Sequence, residues 1–370
     1  MSYYSMNKTK NGKTLYRVVA SYTDPDGKPK RKTKSVYGLQ EAKAVDKQLA
    51  AEVAEASAPA FMTVQQLYDE YIDAKAHEVR LSSLIKTKSI LANHVLNTNL
   101  PKIKLNKLSK KDLQKWKNEI SNKDIMTSTK NNAYKELNAL LNYAVKLDYI
   151  PKNPLKDIGR FKDPYFVMPQ DRINYYTIDE FNRYIKAAKD NRKYLVDYAC
   201  YVFFYLLFYT GLRKGELNAM KWSDVEGDVL HVRRSISQKV GYIETPPKNK
   251  SSYRDIRLPR NAIKVIDEYR AILQKNVRYS EDMRLCGGIK PIPDTVLENH
   301  NTLYAQLAGV KHIKIHDFRH SHATLLINNG VNIMEVSRRL GHADVKMTWN
   351  TYAHLYPSAE DSALEALEKA

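Results

Sequence analysis

The chain has 370 residues, more than the roughly 250 at which a single hydrophobic core stops growing, so we expect two or three domains. Its 60 lysines and arginines against 41 aspartates and glutamates give a formal net charge of +19. This excess favours a polyanionic partner, nucleic acid first, although charge alone leaves an ordinary basic surface equally open.

Cysteine content and hydrophobicity predict a protein of the reducing cytoplasm. Cys200 and Cys286 are the only cysteines, too few and too far apart for a disulfide framework or a thiolate metal site. The N-terminus is polar from its first residues, unlike a signal peptide. The most apolar stretch, residues 198–212, is shorter than the ~20 residues of a spanning helix, so we expect a buried core helix and no membrane association.

The first segment predicts a small, basic α+β domain over residues 1–57. Two stretches rich in β-branched and aromatic residues, 15–23 and 30–38, flank a Pro-Asp-Gly turn at residues 25–27, which is typical of a β-hairpin or small sheet. Residues 39–57 have the composition of a helix. Nine lysines and arginines against two aspartates within residues 1–40 suit a phosphate-binding module.

The middle of the chain predicts an all-helical domain over residues 62–155, after a linker near residues 57–62. A hydroxyl residue three positions before an amide or carboxylate residue is a capping pattern that predicts the start of a helix. The pattern occurs twice in this domain and once in the next. These pairs are Thr63 with Gln66, Ser109 with Asp112, and Thr177 with Glu180. Apolar positions around residues 137–144 recur at helical spacing. Four prolines within residues 151–169 then predict a second linker.

The last domain, residues 174–370, predicts helices around a small antiparallel sheet. Residues 229–237, 241–248 and 253–259 look like successive short strands separated by turn residues. After residue 352, Ser358 to Asp361 forms another capping pattern, and Leu364 and Leu367 lie on one face of a short amphipathic helix. Whether that tail packs on its own domain or on a neighbouring protomer is open.

Six residues of this domain form a set suited to phosphodiester chemistry: Arg213, Lys248, His316, Arg319, His342 and Tyr352. Arginine can bond two phosphate oxygens and stays charged. A lysine can protonate a departing oxygen, and Lys250 is a rival to Lys248 for that task. A phenol can form a covalent phosphotyrosine, although any single one of the 26 tyrosines is more often structural.

Two further features of the sequence leave alternatives open. Glu216 follows Arg213 by three residues, so it either holds the guanidinium in place or forms an ordinary helical ion pair. The histidines at positions 312, 316, 320 and 322 have a spacing that could suit a metal. Without an accompanying set of carboxylates we disfavour a metal site, and we expect no cofactor, because cationic donors would replace the metal.

Four motifs in order, TGLRKGEL, TPPKNKSSYRDIRLP, HDFRHSHATLLINNG and LGHADVKMTWNTYAHL, resemble the tyrosine recombinase (phage integrase) family, over about residues 174–361. The resemblance is to integrases of temperate phages and integrative conjugative elements. It implies Arg213 and Arg319 on the scissile phosphate and Lys248 as general acid toward the 5′ oxygen. It also implies His316 and His342 as donors or proton carriers, Tyr352 as nucleophile and Glu216 as a supporting acid.

The resemblance extends, less specifically, to the other two domains. They resemble an arm-type DNA-binding domain and a helical core-binding domain, and the family forms tetramers on two duplexes. We expect the arm domain to contact DNA through Lys30, Arg31, Lys32 and Lys34, reading bases or only neutralising phosphates. A DNA-bending host factor and an excisionase are further expected partners.

Three functions remain in view from the sequence. The first is a site-specific integrase that cleaves and rejoins DNA strands. The second is a type IB topoisomerase, which uses similar residue types but needs no basic N-terminal module. The third is a non-catalytic DNA-binding regulator, which has no need of Tyr352. The complete set of six residues favours the integrase.

Overall fold

The computed structural model describes residues 2–23, 29–57, 62–163, 173–247, 250–355 and 367–368. The chain divides into two compact units, Met1–Val167 and Met168–Ala370. No helix among the described residues is long and apolar enough to cross a membrane. The predicted division of the first unit into two domains stays a prediction, as do the domain boundaries.

The first unit begins with a three-stranded antiparallel sheet covered by one helix. The elements are β1 (Ser2–Lys10), β2 (Lys13–Thr23), β3 (Pro29–Tyr37) and α1 (Leu39–Ser57), with strand order β1-β2-β3. Alternate residues of β2 face the helix, so Val18 and Ala20 are buried together with Ala42 and Leu49 of α1. The sheet-plus-helix prediction is confirmed. The predicted turn at residues 25–27 lies outside the described residues.

The remainder of the first unit is helical, as predicted. Its helices are α2 (Val64–Glu78), α3 (Leu81–Leu91), α4 (Lys110–Ser121) and α5 (Thr127–Lys146). A π-helical segment, Ala92–Leu96, continues α3, and short 3-10 turns occur before α4 and after α5. The capping pairs begun by Thr63 and Ser109 both form, each with reciprocal side-chain and backbone bonds. The apolar stripe of α5 is buried with Trp116 of α4 in a separate core.

The second unit is mainly helical and contains one small antiparallel sheet, as predicted. In chain order its elements are α6 (Ile178–Asp190), α7 (Leu195–Thr210), α8 (Lys214–Ala219), β4 (Val225–Glu226), β5 (Val229–Val232), β6 (Arg254–Arg257), α9 (Arg260–Asn276), α10 (Asp294–Ala308), α11 (Asp317–Asn328), α12 (Ile333–Leu340) and α13 (Val345–Tyr352). The apolar helix α7 is buried in the main core of this unit. The capping pair Thr177 and Glu180 starts α6.

The predicted middle strand, residues 241–248, is wrong. The sheet order is β4-β5-β6, so the third strand is the short Val225–Glu226 rather than this segment. Gly241 and Tyr242 have positive φ angles, and within the described residues 241–247 only one isolated bridge, Ser235 with Thr245, pairs the segment. Two successive prolines at 246 and 247 supply no N–H donors for a ladder, which prevents continued pairing.

Parts of four further predictions fall outside the described residues. The first linker, near residues 57–62, lies largely within residues 58–61. The second linker lies largely within residues 164–172, and Lys248 with the start of its turn lies at 248–249. The capping pattern of the tail lies within residues 356–366, and only Leu367 and Glu368 of the predicted tail helix are described, in helical conformation. The strand predictions at 229–237 and 253–259 are shorter in the structure, as β5 and β6.

Candidate active site

The described site residues of the second unit all lie at helix ends. Arg213 caps the start of α8, two residues after Gly211 ends α7. His316 precedes α11, and Arg319 lies in the first turn of that helix. His342 follows Gly341 at the end of α12, and Tyr352 is the last residue of α13. Backbone groups at helix ends lack intrahelical partners, so they can hydrogen-bond to neighbouring side chains or to a ligand.

Arg319 is a buried cation with one unsatisfied donor. It is 3% exposed, and its Nη1 donates to the Gly211 carbonyl at 2.8 Å. Its Nη2 is also buried and has no hydrogen-bond partner in the described part of the chain. Burial and the neighbouring charge of Arg213 lower the pKa of Arg319 to about 9. An anion at Nη2 would satisfy the donor and offset both effects.

Two glycines aim the arginines through their backbone carbonyls. Gly211 and Gly341 end their helices with φ of +65° and +69°, a conformation that favours glycine. The Gly341 carbonyl accepts from Arg213 Nη2 at 3.4 Å, as the Gly211 carbonyl does from Arg319. A Cβ at Gly211 would lie 2.5 Å from the His322 ring, so no larger residue fits without displacement.

Glu216 links two arginines and is not an ordinary surface ion pair. Its Oε1 lies 2.7 Å from Arg213 Nη1, and its Oε2 lies 2.9 Å from Arg254 Nη2. The Glu216 side chain is only 4% exposed, whereas that of Arg213 is 36% exposed and accessible to a ligand. Burial raises the pKa of Glu216, but Arg254 and Arg213 outweigh it and hold the pKa below its usual value.

Arg254 is a neighbour of these site residues that the sequence reasoning missed. It is buried on β6 and also donates to the Arg339 carbonyl at 2.8 Å. The alternation of β6 could have revealed it, because Arg254 occupies an inward position of the strand together with Ile256. Glu216 is the one carboxylate hydrogen-bonded to Arg213, Arg254 or Arg319 among the described residues, so the site keeps excess positive charge.

Glu216→Gln should lower the free energy of unfolding by about 3 kcal/mol or more at neutral pH, because it leaves Arg254 buried without its carboxylate. Since the folded-state pKa of Glu216 is lowered, its stabilisation exists above the unfolded pKa of about 4.3 and is lost as pH falls through the folded pKa. Denaturant unfolding at several pH values measures this loss of unfolding free energy.

The matched control is Glu335→Gln, which breaks an exposed i,i+3 pair with Arg338 and should cost less than about 1 kcal/mol. Equal losses would contradict the prediction.

The two site histidines are neutral near pH 7. His342 Nδ1 hydrogen-bonds with Thr348 Oγ1 at 2.7 Å, which orients the ring. Burial, then Arg319 and Arg213, lower the pKa of His342 to about 4. His316 is exposed, but partial desolvation and the charges of His320 and Arg319 also lower its pKa. Neutral imidazoles can donate one hydrogen bond to a phosphate without adding charge.

Tyr352 is buried and its hydroxyl is engaged. The residue is 2% exposed and packs in an apolar cluster with Ala323 and Leu340. Its hydroxyl lies 2.7 Å from His320 Nδ1. Burial raises the pKa of Tyr352 to about 12, although the charge of Arg319 acts in the opposite direction. The sequence reasoning noted His320 only within a histidine cluster and missed this contact.

The other clustered histidines have separate structural partners. His322 Nδ1 hydrogen-bonds with the Phe208 carbonyl at 2.8 Å, and its Nε2 accepts from Arg339 Nε at 3.2 Å. His312 Nε2 accepts from Asn301 Nδ2 at 3.2 Å. The described residues contain no group of three or more histidine, cysteine, aspartate or glutamate side chains arranged to hold a metal ion.

The structure therefore brings five of the six predicted site residues into one region. Arg213, Arg319 and His316 influence the pKa of His342, and Arg319 influences that of Tyr352. Lys248 lies outside the described residues, and the side chain of its rival Lys250 does too. The catalytic roles of the six, and the supporting role of Glu216, stay predictions.

The predicted DNA contacts of the first unit differ in their surroundings. Lys32 and Lys34 lie on the helix side of β3, where their Nζ atoms are 3.2 and 3.5 Å from the carboxylate of Glu52. Arg31 is exposed on the opposite side, because neighbouring strand residues alternate. Lys30 is exposed on β3. The charge of Arg31 is therefore more accessible to a phosphate than the charges of Lys32 and Lys34.

Comparison with known proteins decides the family. The model described as "Phage integrase family" matches residues 174–359, half of the chain, and "Phage integrase, N-terminal SAM-like domain" matches residues 63–121. The chain belongs to the phage integrase family. The resemblance inferred from the four motifs is confirmed.

Curated relatives within this family cover most of the chain. The ICEBs1 integrase of Bacillus subtilis is 24% identical over 76% of this chain and 76% of its own length. A "Tyrosine recombinase XerC-like" protein of Caldanaerobacter subterraneus subsp. tengcongensis is 29% identical over 98% of this chain and 97% of its own. The similarity to the second therefore extends through the N-terminal segment.

Solved structures confirm the predicted fold class. A fragment of the Tn1549 transposon integrase, in complex with a circular intermediate DNA, matches with a TM-score of 0.64 at 21% identity, covering 84% of this chain and 99% of that one. A lambda integrase dimer bound to a COC' core site matches with a TM-score of 0.58 at 18% identity, covering 93% of each chain. At these identities the likeness concerns the fold.

Proposed function

We propose that this integrase-family protein is a site-specific DNA recombinase that cleaves and rejoins strands through a 3′-phosphotyrosine on Tyr352, and so integrates and excises a mobile element. The observation that carries the proposal is the environment of Arg319. Its buried Nη2 has no hydrogen-bond partner among the described residues, and its positive charge acts to lower the pKa of Tyr352. A scissile phosphate bound there would be electrostatically activated next to the phenol.

The chemistry follows from the groups present. Arg213 and Arg319 would bind the non-bridging oxygens, and neutral His316 and His342 would add hydrogen bonds as charge develops. Tyr352 would attack phosphorus while the 5′ oxygen leaves, and Lys248 is our choice to protonate that oxygen. Because a phosphotyrosine retains a phosphodiester linkage, a 5′ hydroxyl can reverse the step and rejoin the strand.

A trapping experiment tests this function. The substrate is a duplex carrying the junction sequence of the mobile element beside the reading frame, nicked next to the cleavage position so that a short fragment diffuses away. The full chain should accumulate as a covalent protein–DNA product on denaturing gels. Binding without any covalent product would favour a non-catalytic regulator, and relaxation of plasmids lacking the junction would favour a topoisomerase.

The partners of this reaction are part of the proposal. We propose double-stranded DNA at core and arm sites, a homotetramer on two synapsed duplexes, and assistance from a DNA-bending host factor and an excisionase. The separate apolar cores of the sheet-plus-helix segment and of α2 to α5 support a division into arm-type and core-binding domains. We propose a cytoplasmic protein, associated with the nucleoid when bound to DNA.

Arg31→Ala should weaken binding of the full chain to a short duplex of arbitrary sequence by about three- to tenfold and reduce its salt dependence by about one counterion. Lys32→Ala is the matched control on the same strand. It should change affinity less than about twofold, because Glu52 already neutralises that lysine. Fluorescence anisotropy at several salt concentrations measures both. An effect of Lys32→Ala equal to or larger than that of Arg31→Ala would contradict this assignment.

A further inference from the structure

The hydroxyl of Tyr352 has one hydrogen-bond partner among the described residues, and that partner can accept a proton. His320 Nδ1 lies 2.7 Å from the phenol oxygen, and the two ring centroids are 5.6 Å apart. His320 follows Arg319 on α11, whereas Tyr352 ends α13, so the contact joins two separate helices. A candidate base needs hydrogen-bond reach of the proton that it removes, and His320 has it.

Taking the proposed function as given, we propose that His320 is the general base that accepts the Tyr352 proton when the phenol attacks the scissile phosphate. His320 then touches a reacting atom and is a catalytic residue. This role adds a seventh side chain to the six recognised from the sequence.

The surroundings of His320 keep its ring able to accept a proton. Burial lowers the pKa of His320, Asp317 raises it and Arg319 lowers it, with a net lowering below the usual value. Among the described residues, the charged and titratable groups that face it are those two, the ring of His316 at a centroid distance of 5.5 Å, and Tyr352 on α13. A neutral imidazole at pH 7 accepts at Nδ1 when its other nitrogen carries the proton.

The proton transfers balance in both directions. In cleavage the O–H bond of Tyr352 breaks, its proton moves to His320 Nδ1, the phenol oxygen bonds to phosphorus, and the bond from phosphorus to the 5′ oxygen breaks. The general acid, Lys248 in our proposal, gives its proton to that 5′ oxygen. In rejoining, the 5′ hydroxyl returns a proton to the lysine, and protonated His320 returns one to the departing phenol oxygen.

The other two site histidines are less suited to this step. His342 Nδ1 is already hydrogen-bonded to Thr348. His316 has no hydrogen bond to the phenol in the described part of the chain, and its exposure suits contact with the phosphate. A phenol with a pKa raised to about 12 is nearly fully protonated at pH 7, so it needs a base within contact distance.

His320→Gln tests the inference through the pH dependence of covalent-product formation on the nicked substrate. At pH 7 the cleavage rate should fall about 100-fold, because general bases contribute about 10²- to 10⁴-fold. The wild-type rate should be level above the pKa of His320. The variant rate should instead rise about tenfold per pH unit, because hydroxide must then remove the phenol proton. The deficit should therefore shrink as pH rises.

A second variant and a control separate chemistry from folding. His320→Ala opens space beside the phenol, and added imidazole should restore part of its cleavage rate without changing DNA affinity. His312→Gln removes a histidine of the same unit whose ring contacts Asn301 instead, and it should cleave like the wild type. Circular dichroism and gel-shift binding should match the wild type for every variant that is compared kinetically.

Each outcome of these experiments either supports or overturns a specific claim. A wild-type rate and pH profile in His320→Gln would overturn the inference. An equal loss at every pH without imidazole rescue would do so too, because it indicates a structural role. If the wild type itself forms no covalent product while binding the junction duplex, the proposed function fails. If the wild type forms product and His320→Gln behaves like it, only the role of His320 fails.

Discussion

Tyr352→Phe should abolish the covalent protein–DNA product on the nicked substrate while leaving the dissociation constant within about twofold of the wild type. The change removes one oxygen atom and keeps the buried ring in its apolar cluster. Without that oxygen no phosphotyrosine can form. Loss of the contact with His320 should cost only about 1 kcal/mol of unfolding free energy, so the variant should stay folded.

Tyr304→Phe is the matched control for that experiment. Tyr304 is also fully buried in the same unit, and its hydroxyl has no hydrogen-bond partner among the described residues. Its removal should leave trapping and binding unchanged. Equal trapping by Tyr352→Phe and the wild type would end the assignment of Tyr352 as nucleophile.

Arg319→Gln should reduce the cleavage rate by about 1,000-fold without a comparable loss of stability. The cleavage loss follows from removing a preorganised donor to the phosphate. Stability should change by less than about 1 kcal/mol or rise, because the variant loses a buried cation that has no carboxylate partner among the described residues. Single-turnover cleavage and denaturant unfolding of the same preparations measure the two effects.

Arg254→Gln provides the contrast. Arg254 is also buried but pairs with Glu216, so its removal should lower the unfolding free energy by about 3 kcal/mol or more. Should Arg319→Gln destabilise the protein as strongly as Arg254→Gln, Arg319 would be a structural cation and the phosphate assignment would be lost. The two variants thus distinguish a cation held for a ligand from a cation held for the fold.

The helix starts could be predicted because their determinants are local. Thr63, Ser109 and Thr177 each bond a backbone group three residues away, and that relation is visible in the sequence. The family and its fold class could be predicted because four motifs occur together in order. The segment 241–248 shows the limit of this approach: its β-branched and aromatic residues suggested a strand, but positive φ at Gly241 and Tyr242 and the following prolines prevent a ladder.

The contacts that complete the site could not be predicted because they cross between elements. Glu216 and Arg254 are 38 positions apart, and His320 and Tyr352 are 32 apart. Both pairs combine residue types with many alternative partners, so only the packed structure selects them. Whether Glu216 was an ordinary ion pair was open for the same reason, since spacing shows the Arg213 contact and not the second arginine.

The left-handed helix ends at Gly211 and Gly341 have a consequence for random mutagenesis. Neither residue has a functional group, yet a side chain at either would collide with His322 or Arg254 and shift a carbonyl that orients an arginine. Gly309 has a similar φ of +61° but open space around it, so it should tolerate alanine far better. In a screen for loss of recombination, we therefore expect substitutions at these two chemically inert positions to be as damaging as substitutions of the nucleophile.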